Sequence, residues 1–365
     1  MLRALPRITL ACLLAAPVTI ALASAPATAA PSCGPTGDPL PDQVPWPLRR
    51  LDPASAWPLS RGEGVVVAVI DSGVSATHPV LAGQVLPGRD FGLPDYAGQC
   101  DEYGHGTMVA GIIAGRDDAG PFTGIAPQAR ILPIRVMRDG RFTRDTSMPS
   151  RIAQAIRYAV AQGADVVNLS LETMPTQELE DAVEFAWEND VVLVAAAGNL
   201  SDGQQRDRPA YPAGYPSVLA VAGVDESGNH VGTSVQGPYI DIAGPGLMIY
   251  GPAPNGDGYR LEPDGGTSFA TAYVSGVVAL VRARYPDLSA DEVIERVIQT
   301  ADAPPEGRNN LVGHGVVNPY QAVAAVLGSK PVTPAGMLDV EPTPPDPLAS
   351  TKVAAAWAAV GGVVL

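Results

Sequence analysis

The chain is poor in the residues from which metal centres and nucleic-acid surfaces are built. It has three cysteines, four histidines and 23 basic residues against 38 acidic ones in 365 residues, a formal net charge of -15. Such a surface repels phosphate backbones, so nucleic acid is excluded as a partner. His78, His230 and His314 have no carboxylate or cysteine neighbours at metal-ligand spacing, which points to turn or surface roles and to no metal site. No internal repeat is present. Charged residues are only 17% and hydrophobic ones 46%, ample for a sizeable core, while 39 glycines and 37 prolines imply many loops.

With the other histidines set aside, His105 stands out. It precedes Gly106-Thr107-Met108-Val109-Ala110-Gly111-Ile112-Ile113-Ala114, whose apolar positions suit a helix packed on a sheet. Upstream, Val65 to Ile70 is an apolar, β-branched run predicted as a strand buried on both faces, with Asp71-Ser72-Gly73 at its carboxyl end. Downstream, Gly265-Gly266-Thr267-Ser268-Phe269-Ala270 opens an apolar helix reaching about Arg284. Ser268 would sit in its first turn, where unpaired backbone N–H groups favour negative charge. Val191 to Ala197 reads as another core strand, ending in Gly198-Asn199.

These residue types make sense together. A serine hydroxyl is a poor nucleophile until a hydrogen-bonded base takes its proton, and the base needs a carboxylate to fix its tautomer. Ser268, His105 and Asp71 supply the three parts, and the Asn199 amide supplies a donor for an oxyanion. Taken singly, Asp-Ser-Gly is usually a turn, His-Gly-Thr a helix start and Gly-Thr-Ser an N-cap. Four such motifs in order, each at the end of a suitable element, argue for a site.

The set resembles the subtilisin-like serine proteases, which place Asp, His and Ser in this order. Matching segments run from about Gly62 to Gly328 and include His78-Pro79, Gly124-Ile125-Ala126-Pro127, Val166 to Leu171, Ala243-Gly244-Pro245-Gly246 and Gly313-His314-Gly315. The resemblance implies an α/β fold with a parallel sheet flanked by helices on both faces. It also implies catalysis by Asp71, His105 and Ser268, an oxyanion hole at Asn199, and substrate binding by Ser170, Leu171, Glu172, Ala197 and Gly198. No cofactor is expected; relatives often hold structural calcium, but no acidic run has EF-hand spacing. Two positions depart from the family pattern. Thr271-Ala272 stands where Ala-Pro is usual, so the helix is expected to continue straighter. Glu172 stands where glycine is common, either selecting basic side chains, blocking the cleft, or simply solvated.

The flanks set the compartment. Residues 1–29 carry Arg3 and Arg7, an apolar run from Ile8 to Leu22 and small residues at Ala27-Thr28-Ala29, the pattern of a secretory signal peptide. Cys12 would leave with it. Cys33 and Cys100 then form an even pair in an exported protein, favouring a disulfide over two free thiols. Residues 30–60 are proline-rich without clear periodicity and are expected to form a strap over a domain at 61–328. Residues 329–352 read as a Pro-rich, acidic spacer, and 353–365 as the start of a transmembrane helix or a short interfacial tail. Between these, helix signals at 149–162, 176–189 and 289–300 alternate with strand signals at 166–171 and 191–197.

This order of segments resembles the mycosins, the membrane-anchored subtilisin-like proteases of type VII secretion systems. It implies an exported serine endopeptidase, tethered by a single C-terminal anchor with its catalytic domain outside the membrane. Its partners would be protein or peptide substrates and a membrane secretion complex. The alternative function is a scaffold subunit whose proteolysis is dispensable. An α/β-hydrolase esterase is disfavoured, since that fold places Ser before Asp and His.

Overall fold

The computed structural model describes residues 33–40, 42–92, 95–139, 145–200 and 208–327. The proposed signal peptide, the whole of the Pro-rich spacer and the C-terminal apolar run lie outside them. Among the described residues no helix is long and apolar enough to cross a membrane.

Seven parallel strands form the central sheet. They are β1 (Val66–Asp71), β2 (Arg89–Asp90), β3 (Arg130–Arg135), β4 (Val166–Leu169), β5 (Val192–Ala196), β6 (Val218–Val224) and β7 (Ile242–Pro245), in spatial order β2-β3-β1-β4-β5-β6-β7. Consecutive strand residues face opposite sides. Val67, Val69, Val166, Val192 and Val194 enter one core, whereas Ala68, Ile70, Val167, Leu193 and Ala195 enter the other. Both faces are covered, which is why these strands are apolar without alternation.

The first core is sealed by α2 (His105–Ala114) and α5 (Thr267–Arg284), the second by α3 (Met148–Ala161) and α4 (Gln177–Glu188). Helices α2 and α5 are apolar nearly all round because each is enclosed. Helices α3 and α4 are amphipathic and bury one stripe each, Ile152-Ala155-Ile156-Ala159 and Leu179-Ala182-Val183-Ala186. Helix α6 (Ala290–Gln299) begins with a capping box in which Ser289 and Glu292 satisfy each other's backbone amides. Helix α5 runs unbroken through Thr271-Ala272, where the Thr271 hydroxyl donates to the Thr267 carbonyl at 2.8 Å.

The chain leaves β1 toward one edge of the sheet and then crosses to β4 on its other side. Reversal between β1 and β4 creates the crevice where sites form in open parallel sheets, outside the carboxyl ends of the strands. Asp71 ends β1, and Ser170 directly follows β4.

The N-terminal strap is more regular than its composition suggests. It contains α1 (Trp46–Leu51), with Pro47 in its first turn, and is buried through Trp46, Leu48 and Leu51. Six residues are too few to show a helical period. Cys33 and Cys100 are joined by a disulfide, and Asp38 pairs through backbone bonds of 2.9 and 2.7 Å with Tyr259. Tyr259 belongs to the antiparallel hairpin of β8 (Ile249–Pro252) and β9 (Tyr259–Glu262). The Trp46 indole donates to Leu247 O at 2.9 Å and that of Trp57 to Ile125 O at 3.0 Å, so each half of the strap is fixed by one aromatic anchor. His78 is not at the surface: it is fully buried, accepts the Val80 amide at 3.3 Å and bonds the Gly258 carbonyl at 3.0 Å.

Candidate active site

Three element ends bring the predicted residues together. Asp71 closes β1 and is fully buried. His105 opens α2, and its Nδ1 lies 2.8 and 3.0 Å from the two Asp71 carboxylate oxygens, so Nδ1–H faces the aspartate and Nε2 is turned to the crevice. This close approach of α2 to β1 requires Gly106, where a Cβ would fall 2.1 Å from the Gly73 carbonyl. Burial pulls the His105 pKa down, but the Asp71 charge and hydrogen bond, helped by Asp101 and Glu262, outweigh it and raise the pKa above the ordinary histidine value.

Ser268 is the second residue of α5. The helix can begin here because Gly265 takes φ 61° with its Cα packed so closely that a Cβ would lie 2.0 Å from the Gly246 carbonyl. In the conformation seen, the Ser268 hydroxyl donates to the Ser170 carbonyl at 3.1 Å instead of to His105. A polar chain runs behind it. Ser275 Oγ donates to Asn168 Oδ1 at 2.9 Å, Asn168 Nδ2 donates to Ser170 Oγ at 2.9 Å, and Ser170 Oγ donates to the Ser268 carbonyl at 2.7 Å. This chain ties α5 to β4 at the nucleophile's backbone.

Asn199 follows β5 by three residues. Its Oδ1 accepts the Thr267 amide at 3.0 Å, which fixes the side chain and aims Nδ2 along the Gly266–Ser268 backbone. Nδ2 and the helix N-terminus therefore bound one small volume beside Ser268, a place suited to a developing negative charge.

Residues not anticipated from sequence complete the surroundings. Buried Asp101 accepts the Gly104 amide at 2.7 Å, the Thr107 amide at 2.8 Å and the Thr107 hydroxyl at 2.6 Å, while Ser72 Oγ donates to it at 2.8 Å. Burial pushes the Asp101 carboxyl up despite these bonds. Ser72 Oγ in turn accepts the Gly106 amide at 3.0 Å, linking the β1 end to the α2 start. The half-exposed Tyr103 ring stacks on His105 at 5.9 Å, and Arg260 of β9 donates to the Tyr103 carbonyl at 2.8 Å. Gly104 holds the N-cap position of α2, so no local capping pattern points to Asp101, and Arg260 lies too far along the chain to be placed.

Glu172 is not a solvated surface acid. Its side chain is only 19% exposed and takes the Arg208 guanidinium at 3.2 Å. Ser170, Leu171, Ala197 and Gly198 line the same edge, and all four are buried.

A parallel sheet covered by helices on both faces, with an Asp–His pair and a helix-borne serine at its carboxyl edge, defines the subtilisin-like class of serine peptidase. Residues 62–315 match the Subtilase family, Peptidase S8. The chain is 36% identical to Mycosin-3 of Mycobacterium tuberculosis, over 80% of this chain and 74% of that one. Among solved structures it resembles MycP3 protease from the type VII (ESX-3) secretion system, with TM-score 0.71, 34% identity, and 80% and 92% of the two chains covered. A chain of an intact ESX-5 inner membrane complex matches with TM-score 0.69 and 32% identity, over 91% of this chain and 97% of that chain. The chain belongs to the subtilase family and is of mycosin type.

Proposed function

We propose that Ser268 is the nucleophile of an endopeptidase acting on exported proteins, with His105 as base, Asp71 as its orienter and Asn199 as oxyanion donor. The observation carrying this reading is the Asp71–His105 pair beside Ser268, with Asn199 held by Thr267. Rotation about the Ser268 Cα–Cβ bond moves Oγ from the Ser170 carbonyl toward His105 Nε2. Oγ attacks the peptide carbonyl as His105 takes its proton; the oxyanion lies between Asn199 Nδ2 and the Ser268 amide. Collapse expels the amine, which receives the proton from His105. Water then repeats the sequence on the acyl-enzyme. Asp71 stays ionised throughout and stabilises the imidazolium. In a preparation of the whole chain, Ser268→Ala is expected to abolish both fluorophosphonate labelling and peptide cleavage while leaving the melting curve unchanged. Labelling that survives in this variant rejects the assignment.

We further propose that the domain works outside the membrane within a type VII secretion complex, held there by the C-terminal apolar run. The match to a chain of the ESX-5 inner membrane complex supports this. It also supports a second role, holding the complex together independently of proteolysis. Ser268→Ala would then preserve secretion where deletion of the chain abolishes it.

A further inference from the structure

We propose that the Glu172–Arg208 pair fills the pocket for the substrate side chain that precedes the scissile bond, restricting cleavage to positions after small residues. This rests on the peptidase reading above and adds its specificity.

The pocket's place follows from the sheet. Strands β4 and β5 are neighbours, with Leu169 opposite Ala195. Continued in step, the two chains leave the sheet with Glu172 opposite Gly198. A peptide whose carbonyl lies between Ser268 and Asn199 projects its side chain into the slot between these segments.

In this chain the slot is occupied. A Cβ built on Gly198 would lie 2.7 Å from Glu172 Oε2, 2.8 Å from the Ala210 Cβ and 3.4 Å from Val235 Cγ2. The Glu172 carboxylate therefore spans the gap from one wall to the other. Arg208 Nη2 donates to both of its oxygens, at 3.2 and 3.3 Å, which holds it in place. The opposite wall is fixed too, because the Tyr239 hydroxyl donates to the Ala197 carbonyl at 2.7 Å.

A large apolar side chain would have to push a paired, partly buried charge out of position, at the expense of the pair. A lysine would meet a carboxylate already matched by a guanidinium. Alanine, glycine or serine fits without displacing either group. The discrimination comes from what the pocket refuses rather than from what it attracts.

The test measures inactivation rates of the full chain by three peptidyl diphenyl phosphonates that differ only in carrying alanine, phenylalanine or lysine at the reacting residue. Fluorophosphonate labelling is run in parallel. Wild type is expected to react with the alanine reagent at least about ten-fold faster than with the other two. Glu172→Gly is expected to raise the phenylalanine-to-alanine ratio at least about ten-fold, and Arg208→Ala, which uncovers the carboxylate, to raise the lysine-to-alanine ratio. A wild-type preference for phenylalanine or lysine overturns the proposal, and so does an unchanged order in both variants. If wild type is not labelled by the fluorophosphonate at all, the peptidase reading itself has failed, a separate outcome. Thermal melting of each variant confirms folding, and the wild-type order decides the question even if one variant does not fold.

Discussion

Asp101 accepts both the amide and the hydroxyl of Thr107, and through these bonds it sets the direction in which the first turn of α2 presents His105 to Asp71. The same carboxylate receives the Ser72 hydroxyl, whose oxygen accepts the Gly106 amide, so one buried acid connects the β1 end to the α2 start. Asp101 is thus a positioning residue. It also contributes to raising the His105 pKa. Asp101→Asn keeps most of the shape but removes the charge and makes one oxygen a donor. Turnover is expected to fall roughly ten- to a hundred-fold, with the acid limb of the pH profile moving down. A variant that loses turnover with an unmoved limb would leave Asp101 only a structural part.

The acid limb itself is the second prediction. In the proposed mechanism His105 must be neutral to accept the Ser268 proton, and its pKa is raised. Activity is therefore lost as pH falls through a value above the ordinary histidine pKa, about 6.5. Asp71→Asn removes both the largest raising charge and the acceptor that fixes the tautomer. Its residual activity is expected to be lower by about 10⁴, as for an analogous change in other serine proteases, with the limb shifted to lower pH. A kcat profile from pH 5 to 9 on both proteins reads the two effects separately.

Asn199 offers a third. Asn199→Ala removes the Nδ2 donor and leaves the Thr267 amide without its acceptor. As the proposed oxyanion donor, Nδ2 would act on charge that exists only in the transition state, so kcat is expected to drop about 10²- to 10³-fold with little change in KM. A raised KM with kcat unchanged would place Asn199 in ground-state binding instead.

Much of this site was legible because its residues end strongly periodic elements. Val67 to Ile70 and Val192 to Ala197 are buried on both faces, so their continuous apolar character marks strands, and Asp71 and Asn199 are where those runs stop. The Gly265–Gly266 pair marked the start of α5. Less legible were features made by contacts distant in sequence. Strand β6 is a run of small residues that periodicity alone does not separate from a helix, and the β8–β9 hairpin is interrupted by Pro252, Pro254 and three glycines. Arg208 pairs with Glu172 across 36 positions, and no local pattern announces such a partner. The fold was written in periodicity; the walls of the cleft were written in pairings.

The bond between Cys33 and Cys100 leads to a fourth prediction. The two residues are 67 positions apart, and Cys100 directly precedes Asp101. Closing a loop of that length restricts the unfolded chain by about 4 kcal/mol in the entropy account. The strap is also held by Trp46, Trp57 and the Asp38–Tyr259 pairing, so it should remain docked without the disulfide. Replacing both cysteines by serine is expected to lower the melting temperature by several degrees while Ser268 stays reactive. Loss of fluorophosphonate labelling well below the melting temperature would mean instead that the bond is needed to keep the His105 turn in place.

Asp241 gives the last prediction, and its sign opposes the usual one for a carboxylate. Burial pushes its pKa up to about 6, although the Ala220 amide donates to it at 2.9 Å and the Arg308 charge favours ionisation. A folded-state pKa above the unfolded value means that the native state holds the proton more tightly. The resulting stability is fully present below the unfolded pKa, about 3.9, and is lost as pH rises through about 6. Asn at this position keeps an oxygen for the Ala220 amide and never ionises. Asp241→Asn should therefore melt close to wild type at pH 4 and above it at pH 8, the difference opening between those values. Other carboxylates shift both proteins alike, so the comparison isolates this one group. A constant offset across the range would show that the substitution acts by packing and that Asp241 keeps an ordinary pKa in the folded chain.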